Sequence, residues 1–395
     1  FLALVVYVAT AIGSFFFFFS LMKQSAVATQ SGSGNDQDTA GADQTQLGTL
    51  LTINPSDPKD QACPLNGKFY TAAERAAWEK RRPLYVMIEN HTDARPQSGL
   101  SDADVVFEAV AEGGITRFGA LFYCGVQADD TVLAPIRSAR TYYVDWASGF
   151  NRPMYVHVGG ANVPGPSDAL GQISDYGWNG TTDINQFSVG YPTFVRDYNR
   201  VPGKDIATEH TMVTSTEKLW AISTNLGWTN MSPEQKVGKK VVAATDWKDG
   251  FTGWTFADEA LSEGTATSIS YDFWSGYNDF AVSWSYDAAK KGYLRSMAGE
   301  KHIDVNNDEQ IAAANVIVLF TSEKGPINEK KHMLYGTTGK GEALVFMNGN
   351  AVKASWTKKD RESELQFFDA KGKPLALQRG LTWISVLATG AEVKY

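Results

Sequence analysis

The sequence is poor in the residues that carry several common chemistries. Its 395 residues include 2 cysteines and 5 histidines, and neither a Cys-x-x-Cys nor a His-x-x-x-His spacing occurs. Because zinc sites are usually built on such spacings, the sequence predicts no metal centre, and nothing in it points to another cofactor. A Gly-x-Ser-x-Gly element is also absent, which excludes the hydrolase nucleophile that this element carries.

Positive charge is scarce as well. Lysine and arginine number 36 against 44 aspartates and glutamates, which gives a formal net charge of −8. That sign argues against a nucleic-acid partner, whose affinity rests on neutralising phosphates. Apolar residues, by contrast, make up 43% of the chain. They are sufficient for two cores at about 150 residues per domain and exclude a disordered scaffold.

The N-terminal segment, residues 1–22, is almost wholly apolar and includes five consecutive phenylalanines. A helix of that length, at about 1.5 Å per residue, crosses a hydrocarbon core about 30 Å thick. The first cysteine is Cys63, so no lipoprotein-type cysteine follows the apolar run. We therefore expect an uncleaved, single-pass transmembrane anchor and, since the sequence begins with Phe1, further residues before it.

Residues 23–56 predict a disordered tether. No basic residue lies between Lys23 and Lys59, and the segment is rich in Ser, Gly, Thr, Gln and Asp. With so little positive charge to hold this side in the cytoplasm, the globular part is expected on the extracytoplasmic side of the cell membrane. There, Cys63 and Cys124 are expected to form a disulfide worth roughly 3 to 4 kcal/mol; in a reducing compartment they would be two buried thiols.

Two globular domains of different composition follow, over residues 57–238 and 239–395. Between residues 81 and 203 there are nine arginines and no lysine, whereas residues 204–395 contain three arginines and nineteen lysines. Arginine presents a planar, permanently charged fork that grips carboxylate or phosphate oxygens in pairs, so the first domain is expected to bind an anion. The alternative is that the use of arginine or lysine differs between the two domains by compositional drift, without a functional reason.

The first domain is predicted to have an α+β or α/β fold. Short apolar strands, such as residues 84–88, alternate with helices, such as residues 214–226, which begin at the capping box Thr214-Ser-Thr-Glu217. The second domain is predicted to be mostly antiparallel β. Its strongest signal is Asn348-Gly349 between two strand-like runs, which indicates a hairpin, and its one expected helix lies around residues 307–314.

Several charged residues fall at the ends of predicted strands in the first domain. Glu108 and Glu112 close one strand, a Gly113-Gly114 pair lets backbone or ligand approach closely, and Arg117 follows. Arg95 precedes a proline, which holds it extended. Together these residues are interpreted as the edge of a ligand site; a hairpin with a local ion pair is the alternative.

Arg137, Ser138 and Arg140 lie at the start of a predicted helix. Positive side chains at a helix N-terminus interact unfavourably with the helix dipole. An anion that binds both the guanidinium groups and the free N–H groups would offset this unfavourable interaction. The Gly159-Gly160 pair follows another predicted strand at its carboxyl end, where α/β sheets commonly bind ligands. Arg196 completes the set of arginines assigned to the anion.

Two histidines are candidates for a general base. His157 lies inside a predicted strand, where a core histidine is the alternative, and His210 precedes the capping box. With Glu112 as the acid or the orienting group, they would provide acid–base catalysis, and the arginines would stabilise developing charge. Whether the protein is an enzyme stays open at this point.

Several motifs of the chain adjoin one another and are specific. They are Arg82-Pro83-Leu84, Ala94-Arg95-Pro96-Gln97-Ser98-Gly99-Leu100, Ala103-Asp104-Val105-Val106-Phe107-Glu108, Glu112-Gly113-Gly114-Ile115-Thr116-Arg117-Phe118 and Arg137-Ser138-Ala139-Arg140. They resemble the YerB-like family of bacterial envelope proteins, and the resemblance covers most of the chain from about Cys63, including a separate β-rich C-terminal domain.

The resemblance implies an extracytoplasmic location, since family members are typically secreted lipoproteins. This chain departs from them in having an apolar N-terminal helix in place of the lipoprotein cysteine. It also has Glu209-His210-Thr211 where many members have Pro-His-Asn, which weakens any role carried over to His210. The family's domains have no assigned reaction, so the resemblance implies none.

The leading hypothesis is a membrane-anchored protein whose first domain binds a carboxylate- or phosphate-bearing component of the cell wall or of a surface glycan. A second hypothesis is an envelope hydrolase or transferase that acts on peptidoglycan or a phosphorylated glycan. A third is a structural module whose β domain docks on another envelope protein.

Overall fold

The computed structural model of the chain describes residues 51, 53–54, 56–232, 234–237, 240–257, 262 and 264–395. The predicted membrane anchor, residues 1–22, and nearly all of the predicted tether, residues 23–56, lie outside the described residues. The predicted domain boundary at residues 238 and 239 lies outside them as well. Within the described ranges, none of the helices combines the length and apolar character needed to cross a membrane.

Among the described residues, helices are few and short. They are α1 (Ala72–Trp78), α2 (Thr141–Ser148), α3 (Ala169–Asp175), α4 (Gln186–Val189) and α5 (Thr216–Asn225). Helix α5 begins two residues later than predicted because its N-cap is Ser215, whose hydroxyl accepts from Lys218 N. The hydroxyl of Thr214, which the sequence predicts as the cap, instead donates to Thr193 O at 2.8 Å.

Sixteen strands build the two main sheets. They are β1 (Leu84–Glu89), β2 (Val105–Glu112), β3 (Ile115–Phe122), β4 (Met154–His157), β5 (Asp183–Asn185), β6 (Ser268–Tyr271), β7 (Val282–Asp287), β8 (Gly292–Met297), β9 (Glu300–Lys301), β10 (Ala312–Ala313), β11 (Asn315–Thr321), β12 (Gly339–Met347), β13 (Asn350–Lys358), β14 (Gln366–Phe368), β15 (Thr382–Ala388) and β16 (Val393–Lys394).

Shorter pairings lie in the connecting segments. Their strands are Gln61–Ala62, Phe69–Tyr70, Val132–Leu133, Val195–Arg196, Met212–Ser215, Gln235–Val237, Lys240–Val242, Ile303–Asp304, Glu309–Gln310, Glu323–Lys324 and Leu334–Tyr335. In the part of the chain that the structure describes, four 3₁₀ turns complete the elements, at Thr92–Ala94, Leu100–Asp102, Thr208–His210 and Asn278–Phe280.

The larger sheet has ten strands in the order β14-β13-β12-β11-β15-β2-β3-β1-β4-β5. Five of them come from residues 84–185 and five from residues 315–388. At its centre β15 runs parallel to both neighbours, with Thr382 opposite Asn315 of β11 and Val105 of β2. One sheet therefore joins the two segments that composition separates, and the division into domains at residue 238 stays a prediction.

The second sheet is antiparallel, in the order β9-β8-β7-β6-β16, with β10 paired to β8. It confirms the expectation that the C-terminal segment is mostly antiparallel β. The hairpin predicted at Asn348-Gly349 is also confirmed, since these residues join β12 to β13 with φ values of 48° and 74°. In this left-handed region glycine and asparagine are the favoured residues.

The helix predicted around residues 307–314 is wrong. The segment forms the strand Glu309–Gln310 and then β10, which pair with Ile303–Asp304 and with β8. Its alanines favour a helix by propensity, but the open edge of β8 offers backbone partners, and pairing there buries Ala313.

The core lies on both faces of the ten-stranded sheet. Every residue of β1 is buried, including its polar last residue Glu89. Such continuous burial is typical of a central strand that is covered on both sides. Near one end of the sheet, Cys63 and Cys124 form the predicted disulfide, with 6.0 Å between their Cα atoms and a sequence separation of 61.

Candidate functional site

Charged side chains meet where β1, β2 and β3 end or turn. Glu89, the last residue of β1, lies opposite Arg117 of β3, and Glu112 is the last residue of β2. Gly113 and Gly114 join β2 to β3 with positive φ values of 57° and 86°, which glycine adopts without strain. This tight turn brings Glu112 back onto Arg117.

Glu112 is held by two guanidinium groups, one on each carboxylate oxygen. Arg117 Nη2 lies 2.7 Å from Oε1, while Arg140 approaches Oε2 through Nε at 2.9 Å and Nη2 at 2.5 Å. The side chains of Arg117 and Arg140 are 2% and 9% exposed, against 26% for Glu112. The carboxylate is therefore the part of this trio most open to solvent.

The two arginines set the protonation state of Glu112. Burial alone would raise the pKa of Glu112, but the charges of Arg117 and Arg140 outweigh it and lower the pKa to about 2. Burial also works against the charge on Arg117, yet Glu112 and Glu89 raise the pKa of Arg117 above its ordinary value. Glu112 is consequently a carboxylate near neutral pH and does not suit the role of general acid.

Arg137 joins these residues through Glu89. Its Nε lies 3.0 Å from Oε1 of Glu89, and His210 Nδ1 lies 2.8 Å from Oε2 of the same carboxylate. The backbone N–H of Arg137 donates to Met87 O at 2.8 Å, which fixes the loop against β1. The Arg137 side chain is 28% exposed, so it is the most accessible of the three guanidinium groups.

We refer to Glu89, Glu112, Arg117, Arg137 and Arg140 as the arginine cluster. Its three guanidinium groups face two carboxylates, which leaves one positive charge in excess. Within the part of the chain that the structure describes, Nε of Arg117 is buried and has no hydrogen-bond partner. The cluster as defined therefore carries one unmatched positive charge, while the buried Nε of Arg117 is itself out of reach of a ligand.

Ser138 and the Gly159-Gly160 pair, which the sequence assigns to ligand binding, act here through the backbone. Ser138 O accepts a hydrogen bond from Arg117 Nη1 at 2.8 Å. Gly159 O accepts from Ala139 N at 2.9 Å, and a Cβ atom on Gly160 would lie 3.2 Å from the Cβ of Ala139. The two glycines thus let the loop that carries Arg137 and Arg140 pack closely on the end of β4.

This close pairing also delays the start of helix α2. The helix begins at Thr141 rather than at Ser138, with Arg140 in the N-cap position and no side chain capping it. No acidic residue lies in its first turn. The positive end of the helix dipole therefore adds to the positive charge of the arginine cluster.

Glu108 lies in a second, separate network that is sealed from solvent. It is fully buried, as is Arg295, whose Nη2 lies 2.8 Å from Glu108 Oε2. Trp383 Nε1 donates to the same oxygen at 3.1 Å, and Thr116 Oγ1 donates to the other at 3.0 Å. With its oxygens engaged and no exposed surface, Glu108 is not positioned to contact a ligand.

His302 completes this buried network. Its Nδ1 lies 2.7 Å from Arg295 Nη1, and its Nε2 lies 2.7 Å from Gln97 Oε1. A guanidinium group can only donate, so Nδ1 accepts and Nε2–H donates, which is the neutral form. Burial, and then the charges of Arg295 and Arg95, lower the pKa of His302 well below its ordinary value.

Arg95 borders the same network and not the arginine cluster. Its Nε donates to Asn90 Oδ1 at 3.2 Å, and its guanidinium lies over the ring of Phe280, 4.8 Å from the centroid. Sequence reasoning missed Arg295 and His302 altogether, because they lie some 190 residues beyond Glu108. The available signal was that Arg295 is one of three arginines among nineteen lysines in its segment.

Arg196 lies apart from both networks, at the Thr208–His210 turn. Three arginines donate to three consecutive carbonyls of this turn: Arg196 to Thr208 O, Arg137 to Glu209 O at 3.2 Å, and Arg200 to His210 O at 2.9 Å. Arg196 therefore helps to fix the turn that carries His210, and only Arg137 belongs to both the turn and the arginine cluster.

His157 is fully buried between two oxygen acceptors. Its Nε2 lies 2.6 Å from Asp183 Oδ1 and its Nδ1 lies 2.6 Å from Gly159 O. Both ring nitrogens are thus engaged by oxygen atoms of the protein, so neither faces a substrate, which fits the core-histidine alternative.

The three proposed catalytic groups are not assembled into one acid–base site. Glu112 is bound by Arg117 and Arg140, whereas each histidine is paired with a carboxylate of its own. Among the described residues, no hydrogen bond joins any two of Glu112, His157 and His210. Glu112 and His157 are therefore not placed to exchange a proton with a ligand.

Two family profiles match the chain. They are described as the N-terminal and C-terminal domains of a protein of unknown function, DUF3048, and they match residues 70–229 and 269–384. The chain belongs to this family. The whole arginine cluster falls in the first match, while Arg295 and His302 fall in the second.

The resemblance to YerB-like proteins is confirmed. YerB of Bacillus subtilis (strain 168), a candidate lipoprotein by its name, is 29% identical over 336 residues, which span 84% of this chain and 88% of YerB. The crystal structure of the Bacillus subtilis YerB protein superposes with a TM-score of 0.64 at 25% identity, covering 85% of this chain and 99% of that chain.

Proposed function

We propose that this protein is an extracytoplasmic, membrane-associated protein that binds a phosphate- or carboxylate-bearing component of the cell envelope at the arginine cluster. One observation carries the proposal: three guanidinium groups share two carboxylates beside the uncapped start of α2. Groups already fixed by ion pairs lose little freedom when an anion binds, and charge-assisted hydrogen bonds from guanidinium groups are strong.

The location is supported by three features. YerB is a candidate lipoprotein by its name. The disulfide between Cys63 and Cys124 is typical of an oxidising compartment. The apolar residues 1–22 are long enough for the predicted membrane anchor.

Binding is favoured over catalysis by the state of the candidate acid–base groups. Glu112, with a pKa of about 2, holds no proton to donate near neutral pH. His157 is enclosed by Asp183 and Gly159. The arginine cluster is therefore proposed to bind an anionic ligand and to release it chemically unchanged.

The proposal is tested by calorimetric titration of the full chain in a nonionic detergent. The probes are a poly(glycerol phosphate) oligomer and a muramyl peptide with free carboxylates, which separate the two kinds of anion. Arg137→Gln removes the most accessible guanidinium and is expected to weaken binding about tenfold, the loss of one charge-assisted hydrogen bond.

The matched control is Arg75→Gln. Arg75 also pairs with a glutamate, Glu79, at 2.9 Å, but on the exposed surface of α1, and its side chain is 53% exposed. This variant is expected to bind both probes as the wild type does. Equal affinity of Arg137→Gln and the wild type for both probes would contradict the proposal that the arginine cluster is the binding site.

A further inference from the structure

Two histidines and an aspartate lie together beside the arginine cluster. His91, Asp93 and His210 each offer a ligand atom, and these atoms all lie within 4.8 Å of one another. His91 Nδ1 is 3.6 Å from Asp93 Oδ2, and the rings of His91 and His210 are parallel within 14°, with 5.0 Å between centroids. The group combines two imidazoles with one carboxylate.

Two short turns bring these residues together from distant parts of the chain. His91 follows β1 directly and caps the Thr92–Ala94 turn, where its Nδ1 accepts from Asp93 N at 3.2 Å. His210 ends the Thr208–His210 turn, whose carbonyls are held by three arginines. Both turns are therefore tied to fixed structure, and their spacing of more than 100 residues explains why no sequence motif reveals the group.

A buried carboxylate orients one of the two imidazoles. Glu89 Oε2 lies 2.8 Å from His210 Nδ1, and the two side chains are 5% and 6% exposed. A carboxylate accepts the Nδ1 proton, which leaves the Nε2 lone pair of His210 available. Histidines that bind metals almost always donate their other ring N–H to a carboxylate, carbonyl or water in this way.

We propose that His91, Asp93 and His210 bind one divalent first-row transition metal of the zinc or cobalt class. Imidazole nitrogens select such metals over calcium and magnesium, which prefer oxygen ligands. Three protein ligands leave at least one coordination position for water or an exogenous oxygen. Glu89 is a positioning residue here, and it also links the metal site to Arg137 of the arginine cluster.

The site is tested by titrating the untagged full chain with cobalt(II) chloride and recording the visible absorption bands of the bound ion, followed by displacement with zinc. One equivalent per chain is expected. Cobalt bound at Nδ1 of His91 replaces the hydrogen bond from Asp93 N, so Asp93→Asn changes only the carboxylate ligand. The variant is expected to bind cobalt at least about tenfold more weakly. His210→Gln is expected to weaken binding similarly.

The role of Glu89 is tested with Glu89→Gln, which is expected to lower metal affinity by about 10- to 100-fold, as for other residues that orient a ligand. The control is Asp129→Asn, which removes an exposed carboxylate outside the group and is expected to leave binding unchanged. No uptake of cobalt by the wild type, or equal uptake by the wild type and Asp93→Asn, overturns the proposal. No anionic ligand is present, so failure here is distinct from failure of the proposed function.

Discussion

The two networks built on glutamate and arginine differ in accessibility and in charge. Glu108 and Arg295 are both 0% exposed, pair one to one, and are joined by a neutral His302. In the arginine cluster, three guanidinium groups meet two carboxylates, and Glu112 and Arg137 remain about one quarter exposed. The first network is sealed and offers no surface with which to bind an anion; the second reaches the surface at Glu112 and Arg137.

The difference teaches that an abundance of arginine does not by itself mark a site. Arg95, Arg196 and the residues of the cluster look alike in sequence, and all were expected to grip one anion. Their carboxylate partners and exposure, which are set by strand register, decide which of them stabilise the fold and which remain available.

The largest effect is expected from breaking the buried pair. Arg295→Met leaves Glu108 buried without its counter-charge, and removing one partner of such a pair typically costs about 3 to 5 kcal/mol of unfolding free energy. Urea unfolding followed by circular dichroism measures it. The double variant Arg295→Met/Glu108→Gln is expected to recover part of the loss; if the single variant loses under about 1 kcal/mol, the network is not sealed as described.

A smaller effect is expected from acid titration of the arginine cluster. The pKa of Glu112 falls from an ordinary 4.5 to about 2 in the folded protein, so its ion pairs stabilise the fold above pH 4.5 and lose that contribution as the pH falls toward 2. Relative to Glu112→Gln, the wild type is expected to be more stable by about 2 kcal/mol at pH 6, a gap that closes by pH 2.

Urea unfolding of the two proteins between pH 2 and pH 6 measures this gap. Since both contain the same other acids, their titrations cancel in the difference. A gap that is constant across this range would mean that Arg117 and Arg140 do not set the charge state of Glu112.

The smallest effect is expected from Arg196, which belongs to neither network. Arg196→Gln removes an exposed donor to Thr208 O and is expected to change the unfolding free energy by less than about 1 kcal/mol. Its affinity for poly(glycerol phosphate) is expected to equal that of the wild type. A tenfold loss of affinity in Arg196→Gln would mean that Arg196 contacts the ligand, and it would contradict the assignment of binding to Arg137 alone of these two residues.

The sequence predicted those features that depend on neighbouring residues. Short apolar runs predict strands over residues 84–88 and 105–109, which form as the longer strands β1 and β2. The hairpin at Asn348-Gly349 follows from two residues that tolerate positive φ. The disulfide between Cys63 and Cys124 was expected because the globular part was predicted to lie outside the cytoplasm, where two cysteines can be oxidised. The meeting of Glu112, Arg117 and Arg140 was partly foreseeable, since a glycine pair separates the first two.

What the sequence did not predict depends on long-range pairing. Nothing near Glu108 indicates that Arg295 neutralises it, because β15 must first insert beside β2 for the two segments to share a core. The helix expected around residues 307–314 was wrong for a similar reason. Backbone pairing with the edge of β8 stabilises this segment more than the helix propensity of its alanines does. Likewise, the hydrogen bond between Asp183 and His157 forms only when β4 and β5 pair.

The central claim, that the cluster holds positive charge available to an anion, is tested most directly by phosphate titration of Glu112→Gln alongside the wild type. Removing this carboxylate leaves Arg117 and Arg140 without their shared counter-ion. Calorimetry at pH 7 is expected to show that the folded variant binds poly(glycerol phosphate) at least about fivefold more tightly than the wild type. Unchanged or weaker binding by a variant whose circular dichroism spectrum matches the wild type would contradict the claim.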